Sequence, residues 1–184
     1  MTVLAILGAS GHGKVIADAA LLTGKWQQVV FFDDAFPGIT SIDEWRILGN
    51  TEDLIERPDA CSGVVVAIGN NEIRMLKQHL LQQAGCPIVS IIHPTASVSK
   101  RSSISKGSVI LAGAVVNPFC LIGESCIINS NSVVEHDCVL DNGVHISPGA
   151  ILAGGVQVGI CTWIGAGSCI TQLISVCANV VVGA

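Results

Sequence analysis

Aliphatic residues recur at every sixth position from Ile92 to Val182 without a miss. All sixteen positions hold isoleucine, valine or leucine, and mostly small residues stand four positions after them: Ala96, Ser102, Ser108, Ala114, Cys120, Cys126, Ser132, Cys138 and Ala150. An unbroken period of six is typical of hexapeptide solenoids, in which each coil contacts mainly its neighbours. A globular domain in which half the residues are apolar would miss the aliphatic class several times in sixteen positions. The pattern therefore predicts a parallel β-helix over residues 92–184.

Three hexapeptides close one triangular coil of eighteen residues, so residues i and i+18 are expected to stack about 4.8 Å apart, as neighbouring strands do. The span to Ala184 then holds about five coils. One inner edge carries an almost pure isoleucine ladder, made of Ile92, Ile110, Ile128, Ile146, Ile164 and Val182. The period of six does not determine the handedness of the β-helix. Crossovers between parallel strands are usually right-handed, but the repeat alone does not show whether this solenoid follows that rule.

Residues 1–91 follow a different pattern, in which short apolar runs alternate with helical stretches. The apolar runs cover residues 3–7, 29–32, 63–67 and 88–92, and the helical stretches cover residues 14–22 and 72–83. This alternation predicts an α/β domain with a small Rossmann-like parallel sheet. Ser10, Asp33 and Gly69 fall at the carboxyl ends of the strands, where sheets of this kind bind ligands.

The first strand is followed by a glycine-rich loop with glycines at positions 8, 11 and 13. This order differs from the G-x-G-x-x-G fingerprint of dinucleotide-binding proteins. A glycine turn that opens a helix still offers backbone N–H groups and a positive dipole end to an anion such as phosphate. Asp33 and Asp34, after the second strand, can accept hydrogen bonds from a ribose or a base. A nucleotide is therefore favoured without NAD being required, and a tight turn with no ligand is the alternative.

Composition excludes several classes of partner. The net charge of −5, the few aromatic residues and the absence of tyrosine argue against nucleic acid and anionic membranes. No apolar run approaches the ~18 residues that span a bilayer, and the N-terminus lacks the pattern of a signal peptide. We therefore expect a cytoplasmic protein without membrane insertion. The eight cysteines show no C-x-x-C spacing, and Cys120, Cys126 and Cys138 fall on small inward positions of the repeat. We therefore expect these three cysteines to be reduced thiols that pack in the core.

His136 is the main catalytic candidate of the repeat, because it occupies an outward position between Glu135 and Asp137. Gly154 follows eighteen residues later and Gly155 follows it, so open space is expected beside the histidine on the next coil. A neighbouring carboxylate can hold the second ring nitrogen and raise the basicity of the imidazole. This arrangement suits a general base, and a histidine in a surface turn is the alternative.

A metal site is the competing use of the histidines. His145 lies half a coil beyond His136 and so points from a different part of the triangle, where it would meet His136 only across an interface between chains. His93 precedes His136 by 43 residues, which is not a multiple of eighteen, so those two do not stack. A site of three histidines, as in β-helix carbonic anhydrases, is therefore not expected, and we expect no metal.

Four motifs occur in order along the chain: ILGASGHG at residues 6–13, FDD at 32–34, AIGNNEIR at 67–74 and EHD at 135–137. Together with the hexapeptide repeat, they resemble the bacterial UDP-4-amino-sugar N-acetyltransferases, in the family named for sialic acid O-acetyltransferases. The resemblance spans essentially the whole chain. It implies homotrimers of left-handed β-helices, with a nucleotide-sugar-binding domain at residues 1–91 and an acyltransferase domain at residues 92–184. It also implies that acetyl-CoA is held between neighbouring helices at the subunit interfaces.

The resemblance also assigns residues to roles. His136 matches the catalytic base and Asp137 the acidic residue beside it, although close relatives carry a glutamate at that position. The positions matching sugar-nucleotide contacts are Ser10, Gly11, His12, Asp33, Asp34 and Gly69. Those matching acetyl-CoA contacts are His145, Ala166 and Ala184, and Asn129 falls near the acceptor. Family members continue beyond the position of Ala184 with a part-coil and a tail over the coenzyme, so this sequence is either truncated or completes the acetyl-CoA site differently.

The expected reaction is transfer of acetyl from acetyl-CoA to the 4-amino group of a UDP-linked deoxy-amino sugar, for bacterial glycan biosynthesis of the bacillosamine type. O-acetylation of sialic acid or another polysaccharide sugar is an alternative within the same chemistry. An NAD(P)-dependent oxidoreductase and a non-catalytic nucleotide-sugar-binding protein are alternatives of other classes.

Overall fold

The computed structural model describes residues 2–184, which divide into two compact units between Val89 and Ser90. The first unit, called unit 1 here, is built on a three-stranded parallel sheet in the order β2-β1-β5. Its elements are β1 (Val3–Leu7), α1 (Gly11–Leu22), β2 (Gln28–Phe32), β3 (Ser41–Ile42), β4 (Trp45–Arg46), α2 (Thr51–Glu56), a 3₁₀ turn (Pro58–Ala60), β5 (Gly63–Val66) and α3 (Asn71–Gln83). The predicted alternation of strands and helices is confirmed.

The sheet of unit 1 is covered on both faces, which explains why its strands read as continuous apolar runs. On one face, Leu54 of α2 and Leu81 of α3 join the buried cluster formed by the strands. On the other, α1 packs closely, because a Cβ on its Gly13 would lie only 2.9 Å from the ring of Phe31. Small buried residues along α1, including Ala17 and Ala20, allow this close approach.

The prediction that residues 88–92 form a fourth strand of this sheet is wrong. Ile88 forms only an isolated parallel bridge with Val64 of β5. Ile91 and Ile92 instead pair with Val109 and Ile110 in the second unit. One apolar run is thus divided between two sheets, and hydrophobicity alone does not reveal such a division.

The second unit, called unit 2, is a β-solenoid of sixteen two-residue strands. These are β6 (Ile91–Ile92), β7 (Ser97–Val98), β8 (Ser103–Ile104), β9 (Val109–Ile110), β10 (Val115–Val116), β11 (Leu121–Ile122), β12 (Ile127–Ile128), β13 (Val133–Val134), β14 (Val139–Leu140), β15 (His145–Ile146), β16 (Ile151–Leu152), β17 (Gln157–Val158), β18 (Trp163–Ile164), β19 (Cys169–Ile170), β20 (Ser175–Val176) and β21 (Val181–Val182). The second residue of every strand is an aliphatic residue of the repeat, so the period had located all sixteen strands.

The strands form three parallel sheets, one on each side of the solenoid. Sheet I contains β6, β9, β12, β15, β18 and β21; sheet II contains β7, β10, β13, β16 and β19; sheet III contains β8, β11, β14, β17 and β20. Partners are eighteen residues apart, as in the pair of Val116 and Val134. The eighteen-residue coil, the five turns and the ladder of sheet I are confirmed, and the fold is consistent with the left-handed parallel β-helix implied by the resemblance.

The core of the solenoid is filled by the inward positions of the repeat. From Ile110 to Ile164 the aliphatic residues at every sixth position are at most 2% exposed. Cys120, Cys126 and Cys138 are fully buried, which confirms their predicted inward orientation, and each is a free thiol. Each thiol donates to the backbone carbonyl fifteen residues later; for Cys120 the acceptor is the Glu135 carbonyl, at 3.0 Å. The small polar positions are therefore hydrogen-bonded to the next coil.

None of the helices within residues 2–184 combines the length and the apolar character needed to cross a bilayer.

Candidate functional site

The glycine loop of unit 1 is fixed against the carboxyl ends of β2 and β5. Gly8 has φ +116°, and a Cβ there would lie 2.8 Å from the Ala67 carbonyl oxygen, so only glycine fits. Asp33 holds the loop from the other side, because its Oδ2 accepts a hydrogen bond from the Ala9 N–H at 2.7 Å. Its Oδ1 accepts a second one from the Ala35 N–H at 2.9 Å. Asp33 is therefore next to the loop, as its position after β2 indicated.

Ser10 and Gly11 lie at the exposed start of α1. Ser10 has the extended backbone of an N-cap residue, but its hydroxyl makes no capping hydrogen bond. A Cβ on Gly11 would contact nothing within 4 Å. The hydroxyl of Ser10 and the first turn of α1 are thus open to a ligand, and this helix end favours anions.

Asp34 takes part in a different network, with Thr51 and Lys77. Its Oδ2 lies 2.6 Å from the Lys77 ammonium, and its Oδ1 accepts hydrogen bonds from the Thr51 N–H and hydroxyl. Burial alone would raise the pKa of Asp34, but the hydrogen bonds from Lys77 and Thr51 outweigh it and lower the pKa. Asp34 is therefore an ionised carboxylate with internal partners, still more than half exposed.

His12, the second residue of α1, is more buried than Ser10 and Gly11. Its Nε2 is inaccessible to solvent and has no hydrogen-bond partner among the described residues. Burial, and then the nearby charge of Arg74, lower the pKa of His12 to about 4. The imidazole is thus neutral at physiological pH.

Arg74 is a functional candidate that sequence reasoning did not single out. Its side chain is 1% exposed, and its Nη1 donates to the carbonyls of Ile68 and Gly69 at 2.9 and 3.1 Å. Its Nη2 donates to Asn71 Oδ1 at 2.8 Å. Arg74 therefore fixes the loop after β5, which contains the predicted contact Gly69. An arginine in the first turns of a helix ordinarily reads as a solvated residue, so the sequence carried no clear signal of this role.

His136 and Asp137 form a hydrogen-bonded pair in the turn between β13 and β14. The His136 Nδ1 and the Asp137 Oδ2 are 2.7 Å apart. Asp137 has φ +61°, and this left-handed conformation lets its carboxylate reach back to the preceding side chain. The shorter arm of aspartate therefore suffices at this position. The hydrogen bond to Asp137, opposed only in part by desolvation, raises the pKa of the exposed His136.

The next coil leaves room for this histidine. A Cβ on Gly154 would lie 2.7 Å from both Cε1 and Nε2 of His136. The predicted stacking is also visible in the backbone, where the Gly155 N–H donates to the His136 carbonyl at 2.9 Å. Glycine at position 154 thus lets the ring lie against the backbone with Nδ1 turned toward Asp137.

His145 lies on sheet I, away from the turn that carries His136. Its ring stacks on Trp163, with centroids 5.5 Å apart and an interplanar angle of 4°. The Asn129 side-chain amide donates to its Nε2 at 3.2 Å. The structure thus brings together His145 and Asn129, which the resemblance places with different ligands.

Ala166 and Ala184 occupy equivalent exposed positions on successive coils, just after β18 and β21. The backbone N of Ala184 lies close to Gly165, where a Cβ would be 2.8 Å from it. Both alanines, like Asn129, follow strands of sheet I, whereas His136 follows a strand of sheet II. Within one chain, the expected acetyl-CoA contacts and the His136–Asp137 pair are therefore on different edges of the solenoid.

Within residues 2–184, no group of three or more histidine, cysteine, aspartate or glutamate side chains is arranged to hold a metal ion.

Two family models match the chain. Residues 3–80 match the PglD N-terminal domain, and residues 119–154 match the bacterial transferase hexapeptide model of six repeats. A curated relative, the UDP-N-acetylbacillosamine N-acetyltransferase of Bacillus subtilis strain 168, is 34% identical over 102 residues. That alignment covers 53% of this chain and 45% of the relative, so the chain spans about half the length of this curated protein.

Solved structures match over nearly the whole chain. The acetyltransferase domain of PglB from Neisseria gonorrhoeae, in complex with acetyl coenzyme A, is 38% identical with a TM-score of 0.94, covering 99% of this chain and 88% of that one. A histidine-to-asparagine variant of perosamine N-acetyltransferase from Caulobacter crescentus, in complex with CoA and GDP-perosamine, is 30% identical with a TM-score of 0.93. That match covers 98% of this chain and 85% of the other. The chain therefore belongs to the family of hexapeptide-repeat acetyltransferases with a PglD-type N-terminal domain.

Proposed function

We propose that this protein transfers an acetyl group from acetyl-CoA to the 4-amino group of a UDP-linked deoxy-amino sugar, in bacterial glycan biosynthesis. The observation that carries the proposal is the His136–Asp137 pair, whose carboxylate engages Nδ1 at 2.7 Å beside the glycine of the next coil. The relatives support the chemistry, because they are N-acetyltransferases of amino sugars and related acetyltransferases, some of them with CoA or acetyl-CoA bound. Both co-substrates are cytoplasmic metabolites, so the reaction belongs in the cytoplasm.

His136 acts as the general base. Asp137 accepts the hydrogen bond from Nδ1–H and so leaves Nε2 unprotonated, facing the acceptor. As the sugar nitrogen attacks the thioester carbonyl, Nε2 takes a proton from it and Asp137 stabilises the resulting imidazolium. The C–N bond forms, the C–S bond breaks, and the leaving CoA thiolate takes the proton from the His136 imidazolium, which restores the neutral base. Backbone N–H groups of a coil stabilise the oxyanion of the tetrahedral intermediate.

The remaining predicted site residues bind two different ligands. Ser10, Gly11, His12, Asp33, Asp34 and Gly69 bind the sugar nucleotide, and His145, Ala166 and Ala184 bind acetyl-CoA. The open start of α1 offers backbone N–H groups to an oxygen of the nucleotide, and the neutral His12 adds no charge beside them. Asp33 and Asp34 already accept hydrogen bonds from the protein, but each carboxylate oxygen can accept a second one.

The active form is a homotrimer with its sites between subunits. Two features support this: the acetyl-CoA contacts and His136 lie on different edges of one solenoid, and large apolar side chains near His136 are exposed. These side chains are Leu121 and Leu173. Exposed apolar surface of this kind marks protein interfaces. Native mass spectrometry should give three times the chain mass, and a monomer that retains full activity would refute the shared site.

Direct transfer is favoured over a covalent acetyl-cysteine. Cys138 is adjacent to Asp137 but is fully buried, and its thiol donates to the Ala153 carbonyl at 3.3 Å. The neighbouring Cys120 thiol, and then burial, raise the pKa of the Cys138 thiol. The thiolate that would attack a thioester is therefore disfavoured.

The test is incubation with acetyl-CoA and a panel of UDP-, dTDP- and GDP-linked 4-amino sugars, followed by mass spectrometry of the products. Sugars with a 4-hydroxyl group and sialic acid serve as oxygen acceptors in the same panel. We expect a gain of one acetyl group on the UDP-linked amine and release of free CoA thiol. Acetylation of the hydroxyl acceptors alone would replace the proposal with O-acetyl transfer. If no acceptor in the panel led to release of CoA, the proposal would be overturned.

A further inference from the structure

The turn between sheets II and III stacks in one line along the solenoid. It comprises residues 99–102, 117–120, 135–138, 153–156 and 171–174, and is called the His136 column here. Backbone hydrogen bonds keep it in register: the Asp137 N–H donates to the Pro118 carbonyl at 3.1 Å, and the Leu173 N–H donates to the Gly154 carbonyl at 3.0 Å. Lys100 and Arg101 therefore lie two coils before His136 and Asp137 on the same edge.

The positive charge of unit 2 is confined to the first coil. Residues 90–184 contain only three lysines and arginines, which are Lys100, Arg101 and Lys106. Lys100 and Arg101 are exposed, and neither head group forms a hydrogen bond or ion pair with a described residue. Exposed cations with no internal partner and a shared position on the catalytic edge are available to an anionic ligand.

The spacing along the column can be compared with the sugar and diphosphate part of the acceptor. Coils are about 4.8 Å apart, so Lys100 lies about 10 Å before His136 at the backbone level and about 14 Å before Gly154. The reacting Nε2 of His136 lies toward Gly154. The long side chains of Lys100 and Arg101 extend from that backbone position, and the distance of about 10 Å to His136 is of the order of the length of a pyranose ring with its glycosidic diphosphate.

Phe119 lies between the two ends of this track. It is 59% exposed and adopts φ +66°, a conformation that is unusual for a bulky residue. An exposed aromatic ring offers an apolar surface to the face of a pyranose and to the methyl group of a deoxy sugar. The column thus presents cations, an apolar ring and a base in the order in which the acceptor carries diphosphate, deoxy sugar and amine.

On the basis of the proposed function, we infer that Lys100 and Arg101 bind the diphosphate of the sugar-nucleotide acceptor while its amine lies at His136. Acetyl-CoA also contains a diphosphate, but the column favours the acceptor. The matched acetyl-CoA positions Ala166 and Ala184 are on coils beyond that of His136. The cations are on the opposite side of His136, in the coil that follows unit 1 along the chain.

Binding of UDP and of uridine to the protein, measured by calorimetry, tests this site without turnover. The wild type should prefer UDP, and the K100A/R101A double variant should lose about 10- to 100-fold of that preference while binding uridine unchanged. Lys106→Ala is the matched control, because it removes a cation from the same coil but from a different edge, and it should keep the preference. An unchanged preference for UDP in K100A/R101A would overturn the inference.

Steady-state kinetics distinguish the two diphosphates. In K100A/R101A the KM for the UDP-linked amino sugar should rise about 10- to 100-fold, with an unchanged KM for acetyl-CoA. A rise in the KM for acetyl-CoA alone would assign the cations to the donor and overturn the inference. If the wild-type protein bound UDP but acetylated no amine, the proposed function would be wrong. The preference for UDP over uridine in K100A/R101A would then still decide whether Lys100 and Arg101 bind the diphosphate.

Discussion

The imidazole of His136 lies against the backbone of Gly154, one coil further along the solenoid, where a Cβ would come within 2.7 Å of its Cε1 and Nε2. Contact distances this short exclude any larger residue at position 154 unless the ring moves. The ring is held on its other side by Asp137, so movement would break the 2.7 Å hydrogen bond at Nδ1. Gly154 therefore positions the base without touching the proton that is transferred.

Gly154→Ala should disrupt this arrangement. We expect kcat to fall at least tenfold, because a displacement of about 1 Å at a reacting group is costly. We also expect a loss of unfolding free energy, measured in urea, from the steric clash. In a His136→Ala background the clash partner is absent, so the same alanine should then cost little stability. An equal stability loss in both backgrounds would show that the alanine is strained by the backbone and not by the ring.

His136→Ala should lower kcat by about 10²- to 10⁴-fold, the usual range for loss of a general base. The side chain is 61% exposed, so the melting temperature should not change. His93→Ala is the matched control, because it removes a histidine of unit 2 that has no place in the proposed mechanism. An unchanged rate in His136→Ala would remove this residue from the chemistry.

The pH dependence of kcat/KM should report the titration of His136. Because the hydrogen bond to Asp137 raises its pKa, the basic form that accepts the proton accumulates only above the ordinary value of about 6.5. Activity should therefore rise with pH through the raised pKa. Asp137→Asn should move this rising limb to lower pH and reduce the plateau, because the imidazolium loses its partner.

Glu135→Gln is the comparison for this shift. Glu135 also raises the pKa of His136, but through a weaker, longer-range charge effect. In Glu135→Gln the rising limb of the kcat/KM profile should therefore shift less toward lower pH than it does in Asp137→Asn. A larger shift in Glu135→Gln would mean that the Nδ1 hydrogen bond does not control the basicity of His136.

The isoleucine ladder of sheet I offers a stability test with matched residues. Ile128 is fully buried in the middle of the solenoid, whereas Ile92 is 39% exposed at its start. Ile128→Ala should cost about 2–5 kcal/mol of unfolding free energy, because it removes buried methyl groups and leaves a cavity. Ile92→Ala should cost clearly less in the same urea titration. Equal costs would contradict the picture of a core that is densest in its central coils.

The solenoid could be predicted from the sequence in detail because a single physical requirement recurs. Every coil must bury an aliphatic residue at the same three places, so indexing by eighteen also predicted that His136 faces outward beside Gly154 and that Cys138 faces inward. Unit 1 has no such period. Its short hairpin and α2 were missed, although α2 carries a capping box in which Asn50 and Asp53 cap each other.

Burial of polar residues explains the other omissions. Arg74 and Gln78 are buried on α3, while Ile73 and Leu76 of the same helix are exposed. Hydrophobic periodicity assigns apolar residues to the buried face of a helix and charged residues to the exposed face. It therefore could not predict that Arg74 is buried and fixes the Gly69 loop. The partners of Asp34 were unpredictable for a related reason, since Thr51 and Lys77 come from separate helices that only the tertiary structure brings together.

The eighteen-residue register also determines how this unit can change in length during evolution. One residue added within a strand would turn every later inward side chain outward, so small insertions are tolerable only where they bulge from a turn. A whole extra coil keeps every column aligned. If such a coil were inserted between Lys100 and His136, the distance between the cations and the base would grow by about 4.8 Å. A relative with such a coil would hold a longer substrate between the inferred diphosphate site and the base, with no substitution of any contacting side chain.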